Sequence, residues 1–192
     1  MVGVTIGVLA LQGDFAEHLE LLASCGYFAR PVRSAEDLQV VDSLVIPGGE
    51  STTMLKLIDR YDMRDLLVKR ISGGMAVLGT CAGAILLAKD VSDGETSLGV
   101  LPLVVRRNAY GRQAQSFEAD IEVAELNCTV EGVFIRAPVI SDAGDAVVMA
   151  TWANSPVMVR SGNQVACTFH PELAGEDRVH RWFVEQVCGG EG

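Results

Sequence analysis

Basic side chains are scarce in this sequence: 15 Lys and Arg stand against 25 Asp and Glu in 192 residues, a formal net charge of −10. That balance repels phosphate backbones and anionic lipid, which argues against a nucleic-acid or membrane partner. No apolar run approaches the ~20 residues that cross a bilayer, and no basic stretch leading into a signal-like apolar core opens the sequence. A cytoplasmic protein is predicted. The five cysteines, Cys25, Cys81, Cys128, Cys167 and Cys188, are odd in number, scattered and without a CxxC pair. Neither a disulfide framework nor a zinc site fits that spacing, so most read as ordinary buried thiols and no metal is expected. Histidine is rarer still, with only His18, His170 and His180. Internal repeats, low-complexity tracts and linkers are missing too, and 192 residues at 49% apolar composition read as one domain, 1–192.

What is present is an alternation of apolar strands and helical stretches. "VGVTIGVLALQGD" is a β-branched, near-continuous apolar run of the kind that forms a strand covered on both faces. Asp14, with Glu17 three residues on, is placed to cap a helix whose Phe15, Leu19 and Leu22 share one face before Gly26 stops it. "SLVIPGGEST" repeats the pattern, followed by a helix over "MLKLIDRYDMRDLLVKRIS" with a break near Tyr61-Asp62. "MAVLGT" supplies a third strand and "AILLAKD" a third helix. Such an order implies an α/β fold with a mostly parallel sheet between helices. After Gly94 the rhythm changes to short strands, "SFEADIEV", "VEGVFIRAP", "AVVMATWA", "SPVMVRSG" and "QVACTFHP", which predict some antiparallel pairing in the C-terminal half. "EDRVHRWFVEQVC" closes the sequence as an amphipathic helix with Val179, Trp182, Phe183 and Val187 inward.

Three strand ends carry chemistry. Gly79-Thr80-Cys81-Ala82-Gly83 has the G-x-nucleophile-x-G form of a sharp strand-to-helix elbow, which presents Cys81 in the crevice at the sheet's carboxyl edge. Unpaired N–H groups at the start of the helix favour a thiolate there and make the Ala82 N–H a natural oxyanion donor. Taken alone, the same five residues would also suit a buried structural cysteine. In "CTFHPEL", Pro171 holds His170 extended, so that His170 and Glu172 point the same way as a base and its orienting carboxylate. His18 and His180 lie in the first and last helices and read as solvated or half-buried residues. In "IPGGEST" the glycines permit a backbone N–H at Gly49 to aim at the same oxyanion, while Glu50 and Ser51 are placed to cap the following helix. Together these features point to acyl transfer through a cysteine.

The segments "LALQGDFAEH", "PGGESTTM", "GTCAG", "RRNAYGRQ", "SFEAD", "GVFIRAP" and "FHPEL" resemble, nearly end to end, the glutaminase subunits of pyridoxal 5′-phosphate synthases, which are class I glutamine amidotransferases. The resemblance implies a three-layer, flavodoxin-like fold and hydrolysis of L-glutamine to glutamate and ammonia by a triad of Cys81, His170 and Glu172. It also implies that Gly49, Glu50, Ser51, Arg107, Ile135 and Arg136 bind glutamine and that Gly49 helps form the oxyanion hole. The family carries an acidic residue before its Arg-Asn pair where this chain has Arg106, and the register of the motif selects Arg107. An arginine clamp suits the α-carboxylate of a free amino acid and disfavours a peptidase. No cofactor is implied. The implied partner is the barrel-shaped synthase subunit, in a hetero-oligomer that uses the ammonia for vitamin B6, with Gln12 near the interface. A glutaminase of histidine or nucleotide biosynthesis is the alternative, against which RNAYGRQ and VFIRAP argue, and the intact Cys-His-Glu set argues against a non-catalytic module.

Overall fold

The near-continuous apolar run at the start needs cover on both faces, and its core, Ile6–Leu9, forms strand β1 with all four residues buried. In this computed structural model, residues 4–92, 94, 96–107 and 116–189 are described. Most of the RNAYGRQ segment, 108–113, therefore lies outside the described residues, as do the first residues of the opening run. From β1 the chain continues through α1 (Phe15–Ser24), β2 (Ala29–Val32), α2 (Ala35–Gln39), β3 (Ser43–Ile46), α3 (Ser51–Arg60), α4 (Arg64–Ser72), β4 (Ala76–Thr80) and α5 (Ala82–Leu87). Strands then dominate: β5 (Ala88–Val91), β6 (Leu101–Arg106), β7 (Ser116–Val123), β8 (Cys128–Ile135), β9 (Val139–Asp142), β10 (Val147–Trp152), β11 (Ser155–Ser161) and β12 (Gln164–Cys167), followed by α6 (Arg178–Trp182).

Seven strands share one sheet in the order β10-β11-β12-β4-β3-β1-β2. β12, β4, β3, β1 and β2 pair in parallel, and β10, β11 and β12 pair antiparallel. The expected α/β class, mostly parallel with antiparallel strands late in the chain, is the class observed. Alternation along each strand feeds two separate apolar layers: Leu44 and Ile46 pack with Met54 and Ile58 of α3 and Leu67 of α4, whereas Val45 packs with Leu22 of α1 and Val179 of α6. β7 and β8 form a hairpin outside the sheet, and β5, β6 and β9 a small sheet of their own. The hairpin folds back over the C-terminal half, where Phe134 and Phe169 meet with ring centroids 5.6 Å apart.

Several local expectations are corrected. The third helix stops at Leu87, and "AKD" is strand β5, because the carbonyls of Leu86 and Leu87 accept the Leu98 and Val100 N–H groups instead of continuing the helix. Asp14 precedes α1 but makes no side-chain capping bond. The last helix keeps Val179, Trp182, Phe183 and Val187 buried, yet only Arg178–Trp182 is α-helical and Phe183–Cys188 is a π-helix. Of the five thiols only Cys81 and Cys167 are buried, while Cys25, Cys128 and Cys188 are half-buried. The break between α3 and α4 falls where expected: Asp62 adopts φ 53°, and Arg64 reaches back across it to Asp59 at 2.5 Å.

Candidate active site

Every parallel strand delivers its carboxyl end to one edge of the sheet, and the polar residues gather there. β4 ends at Thr80 and the chain turns at Cys81 into α5, with Cys81 at φ 48° and ψ −103°. A backbone so placed costs a residue with a Cβ about 1–3 kcal/mol, a strain that clusters at functional sites. The turn is held by two bonds: the Cys81 N–H donates to the Cys167 carbonyl at 2.9 Å, and the Ala84 N–H donates to the Cys81 carbonyl at 3.1 Å. A Cβ on Gly83 would run into the Ile46 carbonyl, which is why the elbow needs its second glycine. Cys81 is recessed, at 6% exposure, and its sulfur lies 3.9 Å from the Ile135 carbonyl.

His170 follows β12 on a loop rather than within a strand, and a single bridge to β8 fixes it, its N–H donating to the Val133 carbonyl at 2.8 Å. Gly48 lies so close against the ring that a Cβ there would overlap it. His170 Nδ1 is 2.7 Å from Glu172 Oε1 and 3.4 Å from Asp14 Oδ2, so Asp14, expected as a helix cap, faces the imidazole instead. Burial by itself lowers the pKa of this ring, but its hydrogen bonds to Cys81 and Glu172 and the negative charge on both outweigh burial and raise it to about 10. Burial also raises Glu172, with His170 opposing. With Nδ1 engaged by the carboxylate, Nε2 is left for the thiol.

One cleft is lined by Cys81 and Ala82, by Gly49, Glu50 and Ser51, and by Arg107, Ile135 and Arg136, with Ile85 behind them. Each glutamine-binding residue expected from the sequence thus lies around the same opening as the thiol. Glu50 does cap α3, accepting from the Thr52 and Thr53 N–H groups at 3.2 and 2.7 Å and from the Thr53 hydroxyl at 2.5 Å. The Thr53 hydroxyl first, and then the backbone donors, hold its carboxyl down at about 2. Arg107 reaches the start of α3, with Nη1 donating to the Thr52 hydroxyl at 3.4 Å and Nη2 3.7 Å from Glu50 Oε1. Gln12 secures the glycine turn by accepting the Glu50 N–H at 2.8 Å, and the Asp14 N–H donates to the Gly48 carbonyl at 3.1 Å. Among the described residues, Asp14, His170 and Glu172 also form a cluster with metal-ligand spacing, their ligand atoms all within 4.8 Å. Since His170 Nδ1 is already bonded to Glu172, these groups read more simply as a base and its carboxylates.

The structure overturns the reading of His18 and His180 as solvated or half-buried. Both are 0% exposed, with His18 Nδ1 2.7 Å from His180 Nε2. A signal was present, since His18 shares the inward stripe of Phe15 and Leu22, and His180 that of Phe183, Val184 and Val187. Burial pushes His18 well below its ordinary value and His180 down to about 4. Unfolding frees both to take protons near pH 6.5, so their contribution is complete above that pH and is lost as pH falls toward 4, by about 3 kcal/mol for His180 alone. The urea midpoint is therefore expected to drop steadily from pH 6.5 to 4.5. A midpoint constant across that range would contradict the burial of two neutral rings.

Known proteins share this arrangement of chain. The subunit PdxT of a pyridoxal 5′-phosphate synthase from Thermotoga maritima is 48% identical over 185 residues, covering 95% of this chain and 98% of the relative. The PdxT subunit from Streptomyces griseus is 52% identical over 187 residues, covering 95% of each. A glutamine amidotransferase of known crystal structure superposes with a TM-score of 0.91 at 49% identity, over 96% of this chain and 99% of that one. The SNO glutamine amidotransferase family matches residues 8–189, from the middle of β1 to the end of the last helix, and the chain belongs to that family.

Proposed function

We propose that the chain is the glutaminase subunit of a pyridoxal 5′-phosphate synthase, a single catalytic domain over residues 1–192 that works in the cytoplasm. The observation that carries this reading is a thiol hydrogen-bonded to a carboxylate-backed imidazole, the thiol lining a cleft that two arginines also line. Cys81 attacks the side-chain amide carbon of L-glutamine, forming a C–S bond and an oxyanion that the Ala82 and Gly49 N–H groups receive. His170, carrying the thiol proton, gives it to the amide nitrogen as the C–N bond breaks and ammonia leaves. Water, deprotonated by His170, then attacks the thioester, and glutamate departs while Cys81 regains its proton. Glu172 holds the ring with Nε2 toward the sulfur and stabilises its charged form. The relatives' names, each a subunit of a pyridoxal 5′-phosphate synthase, support a reading in which a synthase subunit is the partner and consumes the ammonia.

The test is ammonia and glutamate release from glutamine, with and without a purified synthase subunit. Equimolar products are expected, with the free chain slower by roughly 10²–10³, the effect of one missing oxyanion donor. A turn of the Gly48-Gly49 peptide breaks the bond from the Asp14 N–H to the Gly48 carbonyl, and a partner that settles the loop decides which orientation is kept. Absence of hydrolysis under both conditions would refute the activity, and a free chain already at full rate would refute the control.

Arg136→Ala is expected to raise KM for glutamine roughly 10-fold or more while changing kcat less, because the lost charge-assisted bond holds the substrate's α-carboxylate rather than the reacting amide. Alkylation of Cys81 by a small neutral reagent should survive the change. Equal loss of alkylation and hydrolysis would point to a collapsed cleft.

A further inference from the structure

Behind the cleft, His18 presents its second nitrogen to the site: Nε2 is 3.1 Å from the Thr80 hydroxyl and 3.5 Å from Glu172 Oε1. Thr80 is the residue before Cys81, and Glu172 Oε1 is the oxygen bonded to His170 Nδ1 at 2.7 Å. One imidazole therefore touches both arms of the site, and one carboxylate oxygen stands between two buried rings. Burying imidazoles where Leu or Phe would pack is costly unless their nitrogens find partners. Glu172 Oε2 has no hydrogen-bond partner among the described residues, so the orientation of the carboxylate rests on Oε1. His170 reaches that oxygen from one side only, so the carboxylate can still pivot about their shared bond. A third group with its own anchor removes that freedom, and His18 has one in His180 of α6.

We propose that His18, seated by His180, is a positioning residue that ties the base of the nucleophile elbow to the carboxylate behind His170. The inference rests on the proposed roles of Cys81, His170 and Glu172. This role uses the His18 tautomer with its hydrogen on Nε2, toward Thr80 and Glu172, so that Nδ1 accepts from His180 Nε2 while His180 Nδ1 has no hydrogen-bond partner among the described residues. The ionisable groups facing Glu172 are His170, His18, Asp14 and Cys167, and those facing His180 are His18, Asp177 and Glu176. Burial keeps both His18 and His180 neutral at neutral pH, so the contact acts through hydrogen bonding and not through added charge.

The experiment follows alkylation of Cys81 by iodoacetamide as a function of pH in the full chain, read at that residue by peptide mass spectrometry, alongside kcat and KM with the synthase subunit. His18→Leu and His18→Asn should move the alkylation midpoint up by about one pH unit, the equivalent of one hydrogen bond to a charged group. They should also lower kcat about tenfold with KM little changed. His18→Gln, whose amide nitrogen occupies the place of Nε2, should recover most of both. A folded His18→Leu chain with the wild-type profile, or a Gln variant no better than Leu, would overturn the proposal. Should the His18 variants fail to fold, Thr80→Val removes only the hydroxyl at the same nitrogen and carries the same expected shift, and an unshifted profile there is equally fatal. A wild-type profile indistinguishable from that of His170→Asn would instead remove the triad on which the inference stands.

Discussion

Cys81→Ala yields a folded chain whose glutamine hydrolysis falls by roughly 10⁴-fold or more, the scale of loss when the nucleophile of an acyl-transfer set is deleted. The fold survives because the turn is held by main-chain bonds, from the Cys81 N–H to the Cys167 carbonyl and from the Ala84 N–H to the Cys81 carbonyl, which alanine keeps. Alanine also keeps the Cβ, and with it the strain of φ 48°. Cys81→Gly removes both sulfur and strain, so it should be equally inactive yet more stable than the alanine variant by about 1 kcal/mol. Ammonia release with the synthase subunit and thermal unfolding check the two halves separately. Substantial turnover by Cys81→Ala would exclude it as the nucleophile, and a glycine variant no more stable than alanine would show that the elbow is not strained.

His170→Asn should cost nearly as much activity as loss of the thiol, and the double variant with Cys81→Ala should be no worse than either alone. Asparagine reproduces the Nδ1 position, so the contact with Glu172, 2.7 Å in the native chain, can persist while the nitrogen facing the sulfur is gone. Packing against Gly48 then relaxes instead of clashing, since the smaller side chain withdraws from the place where the ring lies. Groups that act as one unit give strongly non-additive losses. A double variant far slower than both singles would mean that thiol and imidazole serve separate steps.

The parts of this site written in local pattern were legible in the sequence. β1, β3 and β4 declare themselves as apolar runs closed by glycine or Pro-Gly turns, and the paired glycines around Cys81 mark an elbow, where a Cβ at Gly83 would meet the Ile46 carbonyl and one at Gly79 the Gly83 backbone. What depends on distant partners was not. β2 carries no apolar run of its own, and its pairing with β1 at the sheet edge makes it a strand, where the missing N–H of Pro31 does no harm. Asp14 follows the rule for a helix cap and yet faces His170, a neighbour far along the chain. His18 and His180 look like ordinary helix residues until α1 and α6 are laid on the same face of the sheet. Periodicity reports which face is inward but not which polar groups will meet there.

The parallel pairing that sets Thr80 beside Cys167 also governs when the site comes into being. β12 is the last strand of the sheet to be synthesised, yet it is inserted between β4 and β11. A nascent chain emerging from the ribosome carries Cys81 long before it carries His170, so during most of its synthesis the thiol has neither base nor carboxylate. On the proposed mechanism, a half-made subunit has no route to glutamine hydrolysis. Closing the gap between β4 and β11 is the same event that completes the sheet, which makes finished folding the condition for ammonia release.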